Sequence, residues 1–223
     1  MEEPLNEPLN IITKREYYEY TMPFKRASEL VELEVKHLCE DYYAGNSISD
    51  SEIDDEDLED IYMSNNLNGF IITSRIKKYY STLRKLKKKN CPATTDGIDK
   101  NLQDIAGIRI LAPTLTDAYR ICKDIKREFE VIGFDDYIEN PKKSGYQSLH
   151  LIVRKQVKYR KEKKTLPIEI QIRTYAQHSW SYTEHKTVYS NPNPSDETKE
   201  KLRARSKSVL EFDQDIDALL HEE

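Results

Sequence analysis

The chain has 223 residues, with 35 Lys and Arg against 40 Asp and Glu for a formal net charge of -5. That length supports one substantial α/β core. The chain nowhere shows about 18 consecutive apolar residues or a charged start followed by an apolar run, so neither a membrane span nor a signal peptide is expected, and a cytoplasmic protein is. Cys39, Cys91 and Cys122 are scattered without metal-ligand spacing, as reduced thiols of a cytosolic protein would be. Charge is strongly segregated: Asp50 to Asp60 holds eight acids and no base, and Arg75 to Lys89 eight bases and no acid. Such a split points to local electrostatic work.

In chain order, the first dozen residues with Pro4 and Pro8 read as a loose tail. Lys14 to Tyr43 is predicted as an amphipathic helix on the pattern Leu30, Leu33, Leu38, ended near Gly45 and Asn46. The acidic run reads as a solvated loop or helix start, or as a mimic of nucleic-acid phosphates shielding the basic segment. Gly69 to Thr73 is a short β-branched strand, expected to run straight into a basic helix from Ser74 to Lys88. On that helix Arg75, Lys78, Ser81 or Thr82, and Lys85 share one side, Lys77, Ser81, Arg84 or Lys88 an overlapping one, and Ile76, Tyr79 or Tyr80, Leu83 and Leu86 form the apolar stripe. Like charges at this spacing repel unless anions sit beside them, although a solvated lysine face is the plain alternative.

Cys91 to Lys100 reads as a loop. A buried strand through Leu111 follows, with Asp104 at its start and Arg109 among apolar neighbours; both charges need partners. A helix from Thr116 to Phe129, capped by Thr114 or Thr116, precedes a strand from Phe129 to Ile138 broken at Gly133. Asn140-Pro141 and Ser144-Gly145 bound a tight basic loop, and Tyr146, Ser148 and His150 then share one side of a strand. An aromatic ring beside a basic loop suits nucleobase stacking, and a packed core tyrosine is the alternative. Arg154 to Lys164, with seven bases and one acid, forms a hairpin tip. Leu166 to Thr174 alternates strictly, so Ile168, Ile170 and Ile172 enter the core while Glu169, Gln171 and Arg173 project together from the other face. Tyr175 to Tyr189 is predicted as one helix. It carries Trp180, and its His178, Glu184 and His185 lack a further ligand at zinc spacing. Asn191 to Pro194 breaks it, and a last helix runs to about Leu220 with the stripe Leu202, Val209, Phe212, Ile216 and Leu219.

Five of these strings, in order, resemble the RelA/SpoT synthetase domain. They are Arg75-Ile-Lys77 with Ser81, Lys85 and Lys88; Gln103-Asp104-Ile-Ala-Gly-Ile-Arg109; Tyr137-Ile with Pro-Lys142 and Ser-Gly-Tyr146-Gln-Ser-Leu-His150; Glu169-Ile-Gln171-Ile-Arg173-Thr; and Trp180 with Glu184-His185. The resemblance spans about Gly69 to Tyr189 and is closest to the small single-domain members. It implies transfer of the β,γ-pyrophosphate of ATP to the 3′-hydroxyl of GDP or GTP, giving an alarmone. It also implies ATP binding by Arg75, Lys77, Ser81, Lys85, Lys88 and Arg109, with the Arg75 plane on adenine. Asp104 would bind Mg2+, a site Glu169 shares, and Glu169 would orient or deprotonate the attacking hydroxyl. Tyr146, Lys142 and His150 would receive the acceptor, with Gln171 and Arg173 bracing the same face.

One departure bears on the acceptor. Ala176-Gln177-His178-Ser179-Trp180 stands where small housekeeping synthetases carry Ala-Met-Asn-Phe-Trp. Some relatives are toxins that pyrophosphorylate the 3′ end of tRNA, and the basic hairpin tip and Lys85 to Lys89 motivate that alternative; a non-catalytic RNA-binding domain is a further one, disfavoured because it has no use for Asp104 and Glu169. The expected fold is α/β, a mixed sheet of about five strands flanked by helices and similar to nucleotidyltransferase folds. Residues 1–66 are read as an N-terminal helical region with the acidic segment, 67–190 as the synthetase domain and 191–223 as a C-terminal helix. The end helices are candidates for a homo-oligomer interface or an antitoxin contact.

Overall fold

The structure is a computed structural model that describes residues 11–44, 69–189, 191 and 193–221; the acidic run lies outside them. Strands β1 (Ile71–Ile76), β2 (Ala106–Ala112), β3 (Glu130–Asp136), β4 (Leu149–Tyr159) and β5 (Glu162–Thr174) form one mixed sheet in the order β1-β2-β5-β4-β3. β2 and β5 run parallel and the other neighbours antiparallel. The alternating strand is therefore central, and its Ile168, Ile170 and Ile172 are fully buried against Ile108, Ile110, Leu149, Leu151 and Val153. Each such side chain stabilises the fold by roughly 1.5–3 kcal/mol through burial. Helices α1 (Lys14–Ala44) and α4 (Leu115–Glu128) cover this apolar face, and α2 (Tyr79–Lys88) and α3 (Thr95–Asn101) sit between β1 and β2 in the chain. α4 starts on Thr114, whose side chain accepts from the Asp117 amide, and β3 carries its irregularity between Val131 and Gly133.

In the first half of the chain three elements differ from expectation. β1 continues through Ile76, pairs with Ala106, and is extended by the Lys77 amide donating to the Ile105 carbonyl, so the basic helix begins only at Tyr79. Edge pairing of a β-branched run outweighs its weak helix preference. Residues 95–101, read as loop, form a short helix because the Thr94 side chain caps it by accepting from the Gly97 amide. On α1 the leucine stripe is not the main buried seam: Leu30 and Leu33 are 37% and 53% exposed and Leu38 is half-buried against the core, whereas Tyr17, Phe24, Val31, Val35 and Cys39 are buried. The buried Ala27 and Ser28 lie on that second seam, where small side chains let the helix approach the sheet.

The helix read over Tyr175 to Tyr189 is α5 (Tyr175–Glu184) followed by a π-helical turn, His185–Tyr189. The last helix, α6 (Asp196–His221), docks by a polar seam. Phe212 and Leu219 of its predicted stripe are exposed, while Ser206 and Asp213 are buried. The reason is the surface it meets. Thr174 Oγ1 donates to Asp213 Oδ2 at 2.7 Å, Gln147 Nε2 to the Ser206 carbonyl at 2.9 Å, and the Thr116 amide to Asp217 Oδ1 at 2.8 Å.

Burial pushes the Asp213 carboxyl up to about 6, the nearby Asp217 charge adding to the rise and the bond from Thr174 opposing it. A folded value above the unfolded ~3.9 means that the folded state binds this proton more tightly. The contribution of Asp213 thus improves as pH falls through about 6 and levels off below about 4. Asp213→Asn is expected to stabilise the protein at pH 7.5 by an amount on the order of 1 kcal/mol and to give no gain at pH 4, read by chemical denaturation at both values.

Candidate active site

Cross-strand partners share a face of a sheet. The register therefore builds the polar face in rows: Arg75 opposite Gly107 opposite Glu169, and Thr73, Arg109, Gln171, His150 and Asp135 across all five strands. Gly107 has no side chain to stand between Arg75 and Glu169, and the stem of Arg75 lies beside it.

At one end of the face, just before β2, Asp104 Oδ2 accepts from Lys77 Nζ at 2.7 Å and from Lys85 Nζ at 2.6 Å. Burial opposes ionisation of Asp104, but the two lysines outweigh it and hold the carboxyl below its ordinary value. Its other oxygen, Oδ1, is buried with no hydrogen-bond partner. The Lys77 backbone is fixed from behind, because the Tyr17 hydroxyl of α1 donates to the Lys77 carbonyl at 2.7 Å and lies 2.8 Å from Thr82 Oγ1. Ser81, Lys85 and Lys88 follow on α2 at spacings of four and three, so they share a side of the helix.

On β5, Glu169 Oε2 accepts from Gln171 Nε2 at 2.8 Å, and Oε1 lies 3.4 Å from His150 Nδ1. Burial raises its carboxyl, contacts with His150 and Gln171 lower it more, and the Asp104 charge opposes them; the balance lies below the ordinary carboxylate value. Glu169 and Asp104 are thus two ionised carboxylates within electrostatic reach of each other. His150 Nε2 and the Tyr146 hydroxyl are 2.8 Å apart, and Arg173 Nη2 donates to Tyr146 at 3.2 Å and to Gln171 Oε1 at 2.6 Å.

Cations crowd the rest of the face. Burial, with the charges of Arg173 and Arg75, lowers the Arg109 guanidinium to about 10. Arg173 is 2% exposed and is also lowered, chiefly by burial. His178 on α5 is depressed by burial and by Arg173 and Arg109, which keeps it neutral near pH 7. Such a set favours a multiply charged anion. The loop before β4 forms the rim. Lys142 Nζ lies 4.1 Å from the ring centre of Tyr137 and 5.0 Å from that of Tyr146. The loop is pinned at Gly145, where φ is +96° and a Cβ would stand 2.4 Å from Ser206 Oγ of α6.

The structure thus gathers Arg75, Lys77, Lys85, Asp104, Arg109, Lys142, Tyr146, His150, Glu169, Gln171 and Arg173 around one face, with Ser81 and Lys88 at its α2 border. Arg75 and Lys77 reach it from β1 and the turn after it, not from a helix. Tyr137, named in the sequence only as part of a matching string and given no role, also stands here, its ring centre 5.2 Å from His150. The sequence reading missed Gln177, which closes a capping box with Thr174 and so anchors α5 directly behind β5; Thr174-x-x-Gln177 is visible in the sequence as that motif.

An open sheet face bearing two carboxylates in a wall of bases is the kind of surface that phosphate chemistry uses. The chain belongs to the family whose shared segment is described as the region found in RelA / SpoT proteins, matched over residues 74–194. It is 37% identical over 122 residues to the GTP pyrophosphokinase YwaC of Bacillus subtilis, covering 54% of this chain and 58% of that protein. With the GTP pyrophosphokinase YjbM of the same organism it is 32% identical over 149 residues, 65% of this chain and 69% of that one. The chain thus aligns with less than two thirds of the length of YwaC. Its fold matches that of the small alarmone synthetase 1 of Bacillus subtilis bound to its product pppGpp, with a TM-score of 0.75 at 26% identity over 93% of this chain and 98% of that one. A GTP pyrophosphokinase family protein from Streptococcus pneumoniae gives 0.74 at 25% identity, covering 93% and 94%. No helix among the described residues is long and apolar enough to cross a membrane.

Because Asp104 takes its depressed value from Lys77 and Lys85, its stabilising contribution is present above the unfolded ~3.9 and is lost as pH falls through the lower folded value. Lys77→Met, which leaves Asp104 with the half-exposed Lys85 alone, is expected to cost about 1–3 kcal/mol at pH 7.5. The loss should shrink progressively below pH ~4, as read from denaturation midpoints across that range.

Proposed function

We propose that the protein transfers the β,γ-pyrophosphate of ATP to the 3′-hydroxyl of GDP or GTP. The observation that carries this is the pairing of Asp104 and Glu169, both ionised, across a face whose other charged groups are mostly cations, in a chain of this family. A protein that only bound phosphates would be weakened by two carboxylates there.

In this reading Arg75, Lys77, Lys85 and Arg109 balance the triphosphate, Ser81 and Lys88 extend the same border, and the Arg75 plane stacks on adenine. The unpartnered Oδ1 of Asp104 suits a hard cation. Asp104 with Glu169 would hold Mg2+, which spreads charge off the phosphate oxygens when bound. Lys142, Tyr146 and His150 receive the acceptor, with Gln171 and Arg173 behind them. Glu169 takes the proton as the 3′-oxygen bonds to the β-phosphorus, the bond from that phosphorus to the bridging oxygen breaks, and AMP leaves. Positioning and electrostatics supply most of such a rate.

A second acceptor is favoured by one observation. On the β4–β5 hairpin Lys158 stands directly opposite Lys163, and Arg160 and Lys161 form the turn with φ of 47° and 70°. Opposed like charges and positive φ at two non-glycine residues both cost stability, and a polyanion such as the acceptor stem of tRNA would relieve the first.

With γ-labelled ATP and Mg2+, label is expected on GDP or GTP, and Glu169→Gln is expected to lower the rate at least ~10²-fold while ATP binding is kept. Label on tRNA alone would replace the acceptor with an RNA end, and no transfer to either would refute the reading.

A further inference from the structure

We infer that Arg173 is a positioning residue that, through two arms of polar contacts meeting at Glu169, sets both the orientation of Glu169 and the tautomer of His150; its catalytic meaning rests on Glu169 acting on the acceptor hydroxyl.

The two arms start from a group that only donates. Arg173 Nη2 gives one hydrogen to Gln171 Oε1 at 2.6 Å and the other to the Tyr146 oxygen at 3.2 Å. With its carbonyl oxygen taken, Gln171 has its amide nitrogen turned to Glu169 Oε2 at 2.8 Å; the opposite flip would set oxygen against carboxylate and nitrogen against guanidinium. On the other arm the Tyr146 oxygen already accepts, so its own proton goes to His150 Nε2, 2.8 Å away. A neutral imidazole that accepts at Nε2 carries its hydrogen on Nδ1, and Nδ1 faces Glu169 Oε1 at 3.4 Å. Both arms therefore end as donors on Glu169, one at each oxygen. The last contact is long, as catalytic contacts often are without substrate.

The arrangement gives the buried cation a task. Among the described residues Arg173 has no ion pair within 4.0 Å, although it is 2% exposed. Its charge reaches the carboxylate four residues earlier on the same strand through two polar relays. Glu169 is held by the strand only at its backbone, and three side-chain torsions remain. The two arms remove that freedom and leave the outward lone pairs of both oxygens toward the open face.

The test reads His150 directly. In uniformly 15N-labelled protein without substrate, nitrogen shifts are expected to show His150 as the Nδ1-H tautomer with a bare Nε2. Tyr146→Phe keeps the ring and removes the hydroxyl, so His150 should move toward the Nε2-H form. With Glu169 less firmly held, kcat should fall about 10- to 100-fold while KM for ATP and for the guanine nucleotide changes less than about threefold. Arg173→Lys, whose shorter side chain ends nearer the strand and lacks the planar fork that sets Nη2 between the two acceptors, should lower kcat in the same way; if that variant does not fold, Tyr146→Phe decides alone. An Nε2-H tautomer in the wild type, or a tautomer and kcat unmoved by Tyr146→Phe as base stacking alone requires, overturns the inference. Since the tautomer is read without turnover, loss of the two arms and absence of pyrophosphate transfer are separate results.

Discussion

Everything at the site depends on β5 being paired on both edges, parallel to β2 and antiparallel to β4. A slip of one residue would send Glu169, Gln171 and Arg173 into the core and expose three isoleucines. The burial of Ile168, Ile170 and Ile172 therefore secures the register, and the register delivers the polar triplet. Stability and chemistry are carried by opposite faces of the same six residues. The parallel partner also matters, because it brings the start of β2, and Asp104 with it, to the same region of the face as Glu169.

The polar face is a place of unequal charge in an acidic protein. Burial, together with the charges of Arg173 and Arg75, depresses Arg109 to about 10. A fold gains nothing from gathering cations that repel, and the apolar face already supplies the core. The two carboxylates do not cancel the surplus. Asp104 absorbs Lys77 and Lys85, and Glu169 is held by His150 and Gln171, so among the described residues Arg75, Arg109 and the buried Arg173 are left without a carboxylate at ion-pair distance. Such a face is electrostatically incomplete without an anion, and phosphate is the anion whose geometry a guanidinium matches best.

Much of this was legible in the chain. Period-two alternation revealed β5 and its faces, and the spacing of motifs named the residues that the sheet brings together. What escaped had a common cause, namely tertiary partners that outweigh local pattern. β1 runs on through Arg75 because β2 pairs with it, against the helical spacing of the basic residues that follow. α1 carries apolar residues on two sides, and only the sheet decides that the side of Tyr17 and Val31 is buried while Leu33 faces solvent. On α6 the apolar stripe was partly right: Leu202, Val209 and Ile216 are half-buried beside Ser206 and Asp213, while Phe212 and Leu219 are exposed, since the surface it meets includes helix caps and an amide. Asp213 and Ser206 are unremarkable in a charged helix until Thr174 and Gln147 lie opposite.

Those terminal helices are coupled to the site more closely than their place in the chain suggests. Tyr17 holds the Lys77 carbonyl, so α1 fixes the turn that carries one of the two lysines on Asp104. Ser206 crowds Gly145 and its carbonyl takes Gln147, so α6 fixes the loop that ends in Tyr146. Asp213 binds Thr174, the residue after Arg173. α1 thus buttresses the Asp104 side and α6 the Tyr146 and Arg173 side. Anything that shifts α6 relative to the sheet acts on the loop and on the end of β5 together, and so on both anchors of the arms that hold Glu169. The Asp104 side, tied to α1, would feel it least.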